Sequence, residues 1–506
     1  MNVQNQSKSN IFNQDVDFDA VIIGAGINGA VSAAALSAAG LKVLLVDKGD
    51  FASFTSQQSS NLVWGGIKYL QSYEFGLVFK LCLARNHLMK NYPNQVREIG
   101  FLASIGPTAP FGRVLGTFGT LFYWGIGLFG TSMPQSFSRK KAKQLEPLLR
   151  PSRKAVRYFD AYLPDTDARF VYDFIRRAKS QGASVKNYTE LVGASHDGIW
   201  ELTLDSAGQE QKIRTRAVVN CAGPFASQVS DLLGARTKAQ LVLSKGVHLV
   251  LDRKITQNQE VLAFWDEEGR LFYVLPMGDR SMVGTTDTRV DDPHTELDKE
   301  DLVYVLRQIN AQLDNLELTE KDVISWRSGV RPLVVESSGD NQKDWHALSR
   351  KHIVETNSDR KVVSVLGGKL TDCLNVGQEM VAEFAKLGFQ TNKPKNWFGE
   401  GDQSRKLEFY KTVSQHCADS QAAERIAEAI WRRHGERGFD LIEGALTELI
   451  PGLGITAQEI KYVAGTEDVR NREDLLRRRL PVMMSRSEKE LAENSELQAL
   501  LESLGL

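Results

Sequence analysis

Six residues near the amino end constrain this chain more than any other feature. Gly24-Ala-Gly-Ile-Asn-Gly29 follows at once on the apolar run 19–23; small residues 30–39 then lead to Gly40 and a second apolar run, 42–46, ending at Asp47. The order is strand, glycine turn, helix, strand, acid. Gly24 permits the tight turn, Gly26 lets a pyrophosphate approach the backbone, and Gly29 lets the helix pack close to the strand. The free N–H groups and positive dipole end of the helix receive the phosphate charge. Asp47, about 20 residues on, is placed to accept hydrogen bonds from a ribose. The arrangement predicts a dinucleotide site. An acid rather than an arginine at the end of the second strand disfavours a 2′-phosphate, which leaves FAD or NAD.

What is missing decides between these two. A flavin enzyme reduced by a nicotinamide nucleotide usually needs a second nucleotide site. The other near-match, Gly452-Leu-Gly-Ile-Thr-Ala457, follows Leu-Ile-Pro rather than a β-branched strand. Thr456 and Glu459 make it a better capping box, so a helix is expected to start there. With one nucleotide site, electrons pass directly from a small-molecule substrate to a bound flavin.

The 506 residues suggest roughly three folding units at ~100–200 residues each. With 62 basic and 63 acidic residues the net charge is −1, so no long-range field draws the chain to nucleic acid. Cys82, Cys221, Cys373 and Cys417 are scattered, with no CxxC pair and no histidine cluster at ligand spacing. Neither a disulfide scaffold nor a metal site is expected, and the chain reads as intracellular. Residues 1–16 are polar, are expected to form a disordered tail, and lack the basic start and apolar run of a cleavable leader. The most apolar stretch, 114–130, is shorter than the ~20 residues needed to span a bilayer. Buried packing is the first expectation for it, and a peripheral membrane contact the second.

Further along, the helical pattern 167–181 ends at Gly182, and apolar β-rich runs follow at 183–188, 217–221, 247–251 and 271–275. The middle of the chain therefore mixes a nucleotide-binding sheet with a second, largely β region. From about residue 400 amphipathic helical patterns replace strands. The expected fold is α/β: a Rossmann-type, doubly wound FAD-binding domain starting at 17–70, interleaved through residue 400 with a mainly antiparallel β substrate domain. Residues 401–506 form an all-helical C-terminal domain. The cluster Arg477–Arg479 is expected to face solvent, the default for a charge run.

The motifs taken together resemble the FAD-dependent glycerol-3-phosphate dehydrogenases. The resemblance runs through Ile22-Ile-Gly-Ala-Gly-Ile-Asn-Gly29, Asp50-Phe-Ala-Ser-Phe-Thr-Ser56, Gly65-Gly-Ile-Lys-Tyr-Leu70 and Asp165-Thr-Asp-Ala-Arg169. It continues in Val219-Asn-Cys-Ala-Gly-Pro224, Ser244-Lys-Gly-Val-His-Leu249, Gly284-Thr-Thr-Asp287 and Ser328-Gly-Val-Arg-Pro-Leu333. It closes with Ser349-Arg350, Gly367-Gly-Lys-Leu-Thr371 and Asn471-Arg-Glu-Asp-Leu-Leu-Arg-Arg-Arg479, covering nearly the whole chain from residue 17. It implies oxidation of sn-glycerol 3-phosphate to dihydroxyacetone phosphate, with hydride passing from C2 to flavin N5 and electrons onward to quinone at a membrane surface. Oxygen stays open as the acceptor, as do a peripheral membrane contact at the inner face of the cytoplasmic membrane and a homodimer.

The resemblance also distributes roles. Arg331 faces the substrate, where its planar fork suits a phosphate or a developing alkoxide. His248 and Lys369 are the other catalytic candidates, Lys369 beside the flavin's pyrimidine end. Trp64, Lys68, Tyr69 and Arg350 are substrate contacts. Gly24, Gly26, Asn28, Gly29, Asp47, Ser56, Ala222, Gly223, Gly368, Lys369 and Thr371 are assigned to the cofactor.

The chain departs from the family near the substrate. The family usually carries Lys at the position of Asn61, His at Trp64 and Arg at Lys68, and continues with Thr-Tyr-Arg where this chain has Asp372-Cys-Leu374. If all these positions line the pocket, phosphate binding loses several charge-assisted bonds, very roughly 1.5–3 kcal/mol each. A second reading follows: a divergent FAD enzyme acting on another alcohol or amine. A flavin-binding protein without turnover is disfavoured by the intact Arg331, Lys369 and His248.

Overall fold

A computed structural model describes residues 16–335 and 351–506. The expected opening is present as strand β1 (Phe18–Ile23), helix α1 (Ile27–Ala38) and strand β2 (Val43–Val46). β1 runs parallel to β2, and on its other side to β3 (Gln209–Asn220); β4 (Val362–Gly367) extends the parallel set beyond β3. All of β2 is buried, and so are the last four residues of β1. A parallel sheet covered on both faces has no wet side, which is why both strands read as unbroken apolar runs. One face is covered by α1 and the helices Asp167–Ser180 and Cys373–Lys386. The hairpin Glu190–Asp197/Ile199–Ser206 covers the other with Leu191, Trp200 and Leu202.

The glycine turn shows why it is built as it is. Gly24 has φ +96°, open to glycine but strained for other residues. A Cβ on Gly29 would lie 1.8 Å from the Gly24 carbonyl oxygen, so only glycine lets α1 sit this close to the turn. The predicted helix at 167–181 is observed as Asp167–Ser180, capped by the Thr166 side chain and closed at Gly182, φ +89°. The strand expected at 183–188 is shorter, Ser184–Lys186.

The second sheet has ten strands and is mainly antiparallel; its parallel pair joins Arg97–Ile105 to Glu260–Trp265. The long strands Gln240–Leu251 and Val323–Val335 pair along their length, setting Ser244 opposite Arg331 and His248 opposite Arg327. Among the described residues no strand follows β4, and helices carry the chain to its end.

Three expectations need correction or trimming. Residues 114–130 are not simply packed inside. They form the helix Arg113–Ile126, which buries Gly116, Thr120 and Tyr123 and leaves Val114, Leu115, Phe118 and Phe122 exposed. The inner line is held by Tyr123, whose hydroxyl donates to Asp160 at 2.9 Å, with Arg85 at 2.6 Å on the same carboxylate. The cluster at 477–479 does not face solvent: Arg478 and Arg479 are buried and bonded to Asp50. At residue 456 a helix does begin, with Thr456 accepting from the Glu459 amide, but Glu459 serves Arg433 and His434 instead of completing a box.

Candidate functional site

Two adjoining cavities lie where the first sheet meets the second. The first, about 560 Å³, opens beyond the carboxyl ends of the parallel strands, the position at which open α/β sheets bind ligands. Gly24 and Gly26 after β1, Asp47 after β2, Cys221 to Gly223 after β3 and Gly367 at the end of β4 all line it, with Asn28, Ser56 and Gly368. The α1 amino end has no cap from its own N-cap residue, Gly26, and no acid in its first turn, so its dipole and the amides beyond Ile27 are left for an anion. A Cβ on Gly26 would have the Ser56 hydroxyl as its near neighbour, 3.1 Å away, on the cavity side. That hydroxyl accepts from the Ile27 amide at 3.1 Å. Asn28 donates to the Gly367 carbonyl at 3.0 Å, and its own buried Oδ1 has no partner among the described residues.

Asp47 ties the turn together: Oδ2 accepts from the Ala25 amide at 2.6 Å and Oδ1 from the Gly49 amide at 2.9 Å. Burial lifts its carboxyl to about 6 against the pull of these two bonds. Gly29 does not line the cavity and acts through packing alone. The residues present thus fit a dinucleotide: a helix end with amides left for an anion, an acid just past the second strand on the cavity wall, and at Asn28 an amide oxygen without a partner among the described residues.

The second cavity, about 580 Å³, shares Ile27, Thr55, Ser56, Pro332 and Gly368 with the first. Trp64, Lys68, Tyr69, His248, Arg331, Lys369 and Thr371 all line it, so these sequence-derived candidates come together in one cavity. Arg350 lies outside the described residues. Arg331 lies flat against Gly246, where a Cβ would meet its Nη2 at 2.0 Å. Its Nη2 donates to Thr285 Oγ1 at 3.0 Å, and Nη1 sits 3.4 Å from Asp287. The Lys369 ammonium stands 4.1 Å from the Tyr69 ring centre and 5.2 Å from that of Trp64, while Lys68 approaches Tyr69 from 5.5 Å. Both ammonium groups thus stand over aromatic faces. Thr371 donates to the Trp64 carbonyl at 3.1 Å and so fixes that loop rather than reaching the first cavity.

His248 is buried and its Nδ1 has no hydrogen-bond partner among the described residues. Burial, then Arg331 and Arg327, push its imidazole down to about 3, so it stays neutral through the physiological range.

The departures noted in the sequence separate in space. Trp64 and Lys68 line the second cavity; Asn61, Asp372, Cys373 and Leu374 do not. Asn61 turns away to donate to the Asp165 carbonyl at 2.9 Å. Asp372 accepts Lys80 at 3.2 Å and binds His352 Nδ1 at 2.7 Å, while His352 Nε2 meets Glu379 at 2.8 Å. Burial alone would lower His352, but its two carboxylate partners outweigh it and raise it. Two cavity residues carried no signal in the sequence: Arg270 and Tyr273, on the hairpin after Trp265. An alternating strand displays such residues without any motif.

The FAD dependent oxidoreductase family matches residues 19–367, more than half of the chain. An aerobic glycerol-3-phosphate dehydrogenase of Staphylococcus epidermidis is 30% identical over 464 residues, 90% of this chain and 81% of that protein. Its counterpart in Staphylococcus aureus is 32% identical over 385 residues, 74% of this chain and 68% of that one. Among solved structures, the glycerol-3-phosphate dehydrogenase from Bacillus halodurans complexed with FAD superposes with a TM-score of 0.71 at 21% identity, over 99% of this chain and 93% of that one. The L-alpha-glycerophosphate oxidase of Mycoplasma pneumoniae with FAD bound gives 0.58 at 17%, over 76% and 98%. The parallel sheet, the open helix end and these similarities agree: the chain belongs to the FAD dependent oxidoreductase family, and its cofactor is FAD.

Proposed function

We propose that the chain oxidises sn-glycerol 3-phosphate to dihydroxyacetone phosphate. The observation that carries this reading is the convergence of Arg331, Lys68 and Lys369 with neutral His248 on one cavity that shares Gly368 and Ser56 with the dinucleotide cavity. Three cations around a small volume suit a phosphate dianion and a developing alkoxide better than a neutral or cationic amine. Only two of the departures from the family pattern touch this cavity, which weakens the case for a different substrate.

FAD, when bound, supplies the acceptor for the C2 hydride. The amides at the start of α1 and the Ser56 hydroxyl would hold its diphosphate, Asp47 its ribose, and Gly368 with Lys369 its pyrimidine end. Arg331 offers a fork to phosphate or alkoxide oxygen, and Lys68 adds charge at the rim. His248, on the cavity wall, accepts a hydrogen bond from the C2 hydroxyl on its neutral imidazole. Protonating it outright at neutral pH costs roughly 5 kcal/mol at 1.36 kcal/mol per pH unit, so it takes the proton only as the dianion offsets Arg331 and Arg327. Holding C2 in line supplies much of the remaining rate.

The electron acceptor in this reading is a lipid-soluble quinone, reached at the inner face of the cytoplasmic membrane; oxygen is the competing acceptor, and a homodimer adds nothing to the argument. Support comes from the apolar face of the helix Arg113–Ile126, continued by Tyr73, Phe75, Leu128 and Phe129. Gln71 and Ser72, on the second cavity's wall, lead straight into it. No helix among the described residues is long and apolar enough to cross a membrane.

The test is an anaerobic substrate panel read by flavin absorbance. Bleaching by millimolar sn-glycerol 3-phosphate, and not by glycerol or amino acids, supports the reading. Bleaching by another alcohol or amine alone transfers the assignment to the divergent enzyme.

A further inference from the structure

Behind the second cavity lies a buried cation that enters the chemistry above only through its effect on His248. Arg327 is fully buried, opposite His248 in the strand pair. Its Nη1 donates to Asn61 Oδ1 at 3.0 Å and to the Ser59 carbonyl. Its Nε and Nη2 have no hydrogen-bond partner among the described residues. The neighbouring carboxylate, Asp167, acts on the guanidinium through its charge but accepts its hydrogen bonds from the Ser59 amide at 2.9 Å and the Ala168 amide at 3.0 Å. Arg477, bonded to Gln58 at 3.3 Å, adds a second positive charge nearby. A buried guanidinium with unmet donors is expensive to keep. Burial lowers its pKa to about 10, which leaves it charged at neutral pH. The groups around it, Ser59, Asp167, His248 and Gly329, are all on the cavity wall.

We propose that Arg327, held by Asn61, is a positioning residue: its charge attracts and orients the anionic end of the substrate through the cavity wall without touching it. The inference rests on the phosphate-substrate reading above. In a low-dielectric surround one unit charge several ångströms away changes affinity for an anion tenfold or more. Because Asn61 Oδ1 is a hydrogen bond away from Nη1, a lysine at residue 61 would place an ammonium in the same pocket.

The experiment uses the FAD-loaded full chain and steady-state kinetics with sn-glycerol 3-phosphate. In Arg327→Gln we expect KM to rise tenfold or more with a smaller change in kcat and with flavin content retained. Arg327→Lys should keep KM near that of the parent, and the double variant Asn61→Lys/Arg327→Met should recover most of the loss. An unchanged KM in Arg327→Gln overturns the proposal, as does a KM in the double variant as high as in Arg327→Gln. Should Arg327→Gln fail to fold, the double variant alone decides, by recovering or not recovering the parent KM. If the parent enzyme itself is not reduced by sn-glycerol 3-phosphate, the substrate reading fails, and that outcome is separate from any effect of residue 327.

Discussion

Asp50 and Arg479, 429 residues apart, face each other as a fork: Nη1 to Oδ2 and Nη2 to Oδ1, both 2.8 Å. Arg478 Nε adds a third bond at 2.6 Å. Burial alone would raise the Asp50 carboxyl, but the two guanidinium groups outweigh it and hold it below its ordinary value. Asp50 stands three residues beyond Asp47, so this ion cluster ties the helical C-terminal region to the wall of the dinucleotide cavity. The same region is fastened again by Asp165 with Arg432 and Arg433, and by Arg169 with Glu467 at 2.6 Å.

Removing one partner of a buried pair leaves the other charge stranded, and the cost exceeds the worth of the bond. Arg479→Met should therefore destabilise the protein by about 3 kcal/mol or more, with Arg478 limiting the loss. Chemical denaturation measures it. The double variant Asp50→Asn/Arg479→Met should be more stable than the single one, because the stranded carboxylate is gone.

Acid should loosen the same seam. Burial would raise Glu459 and Glu467, but Arg433 and Arg169 dominate and pull both down to about 2; Asp165 is lowered further by Arg432 and Arg433. A carboxyl depressed in the folded state stabilises above its ordinary value, near 4, and loses that contribution as pH falls toward 2. Asp47, lifted to about 6, acts in the opposite sense: its burial costs stability above pH 6 and ceases to do so below 4. The denaturation midpoint should therefore rise slightly between pH 6 and 5, as the cost of burying Asp47 is relieved, and fall steeply between 4 and 2. A flat acid limb would show that the ion clusters contribute nothing.

Gly26→Val should give a folded chain without flavin. The added Cβ would lie 3.1 Å from the Ser56 hydroxyl, and the two methyls beyond it would occupy the space a diphosphate needs at the start of α1. Visible absorbance of the purified variant, beside its far-ultraviolet dichroism, checks both halves of the statement.

The glycine turn and Asp47 were legible because their chemistry is local: five successive constraints fall within thirty residues, and no distant partner is needed to interpret them. Arg478 and Arg479 were not, because a run of like charges looks solvated until Asp50, far away in sequence, is brought beside it. Residues 114–130 showed their apolarity but not what it packs against, and their helix buries one narrow line while exposing the rest. Asn61 and Asp372 sit within three residues of cavity-lining Trp64 and Lys369, yet strand and turn geometry point them elsewhere. Proximity in sequence suggested a depleted phosphate clamp, and the backbone separated the residues that count.

Arg331→Lys keeps the charge and loses the fork, so kcat/KM for sn-glycerol 3-phosphate should fall by about a hundredfold, the scale of one lost charge-stabilising donor set. His248→Asn should cost roughly tenfold to a hundredfold, in the lower part of the range for a positioned proton acceptor. Because Arg331 and burial hold His248 near 3, the pH profile of kcat/KM should show no histidine limb between pH 5 and 8 in the parent. A limb near 6.5 that disappears in His248→Asn would contradict that assignment.

The exposed face of the helix Arg113–Ile126 supports a last prediction. Phe118 is 66% exposed and Phe122 53%, and Phe75 packs edge-on against Phe122 at 5.6 Å, so the patch is continuous rather than a scatter of single side chains. Such patches mark contact surfaces. Arg139, Lys140 and Lys141 are exposed a short strand away, which adds attraction for anionic headgroups at about 1 kcal/mol per residue near the surface. Phe118→Glu/Phe122→Glu should abolish sedimentation with vesicles rich in anionic lipid and slow reduction of a membrane-dissolved quinone. Turnover with a water-soluble dye should be unaffected, since neither residue lines the cavities. Equal vesicle binding by parent and variant would remove the support this face gives to a lipid-borne acceptor and leave oxygen as the better candidate.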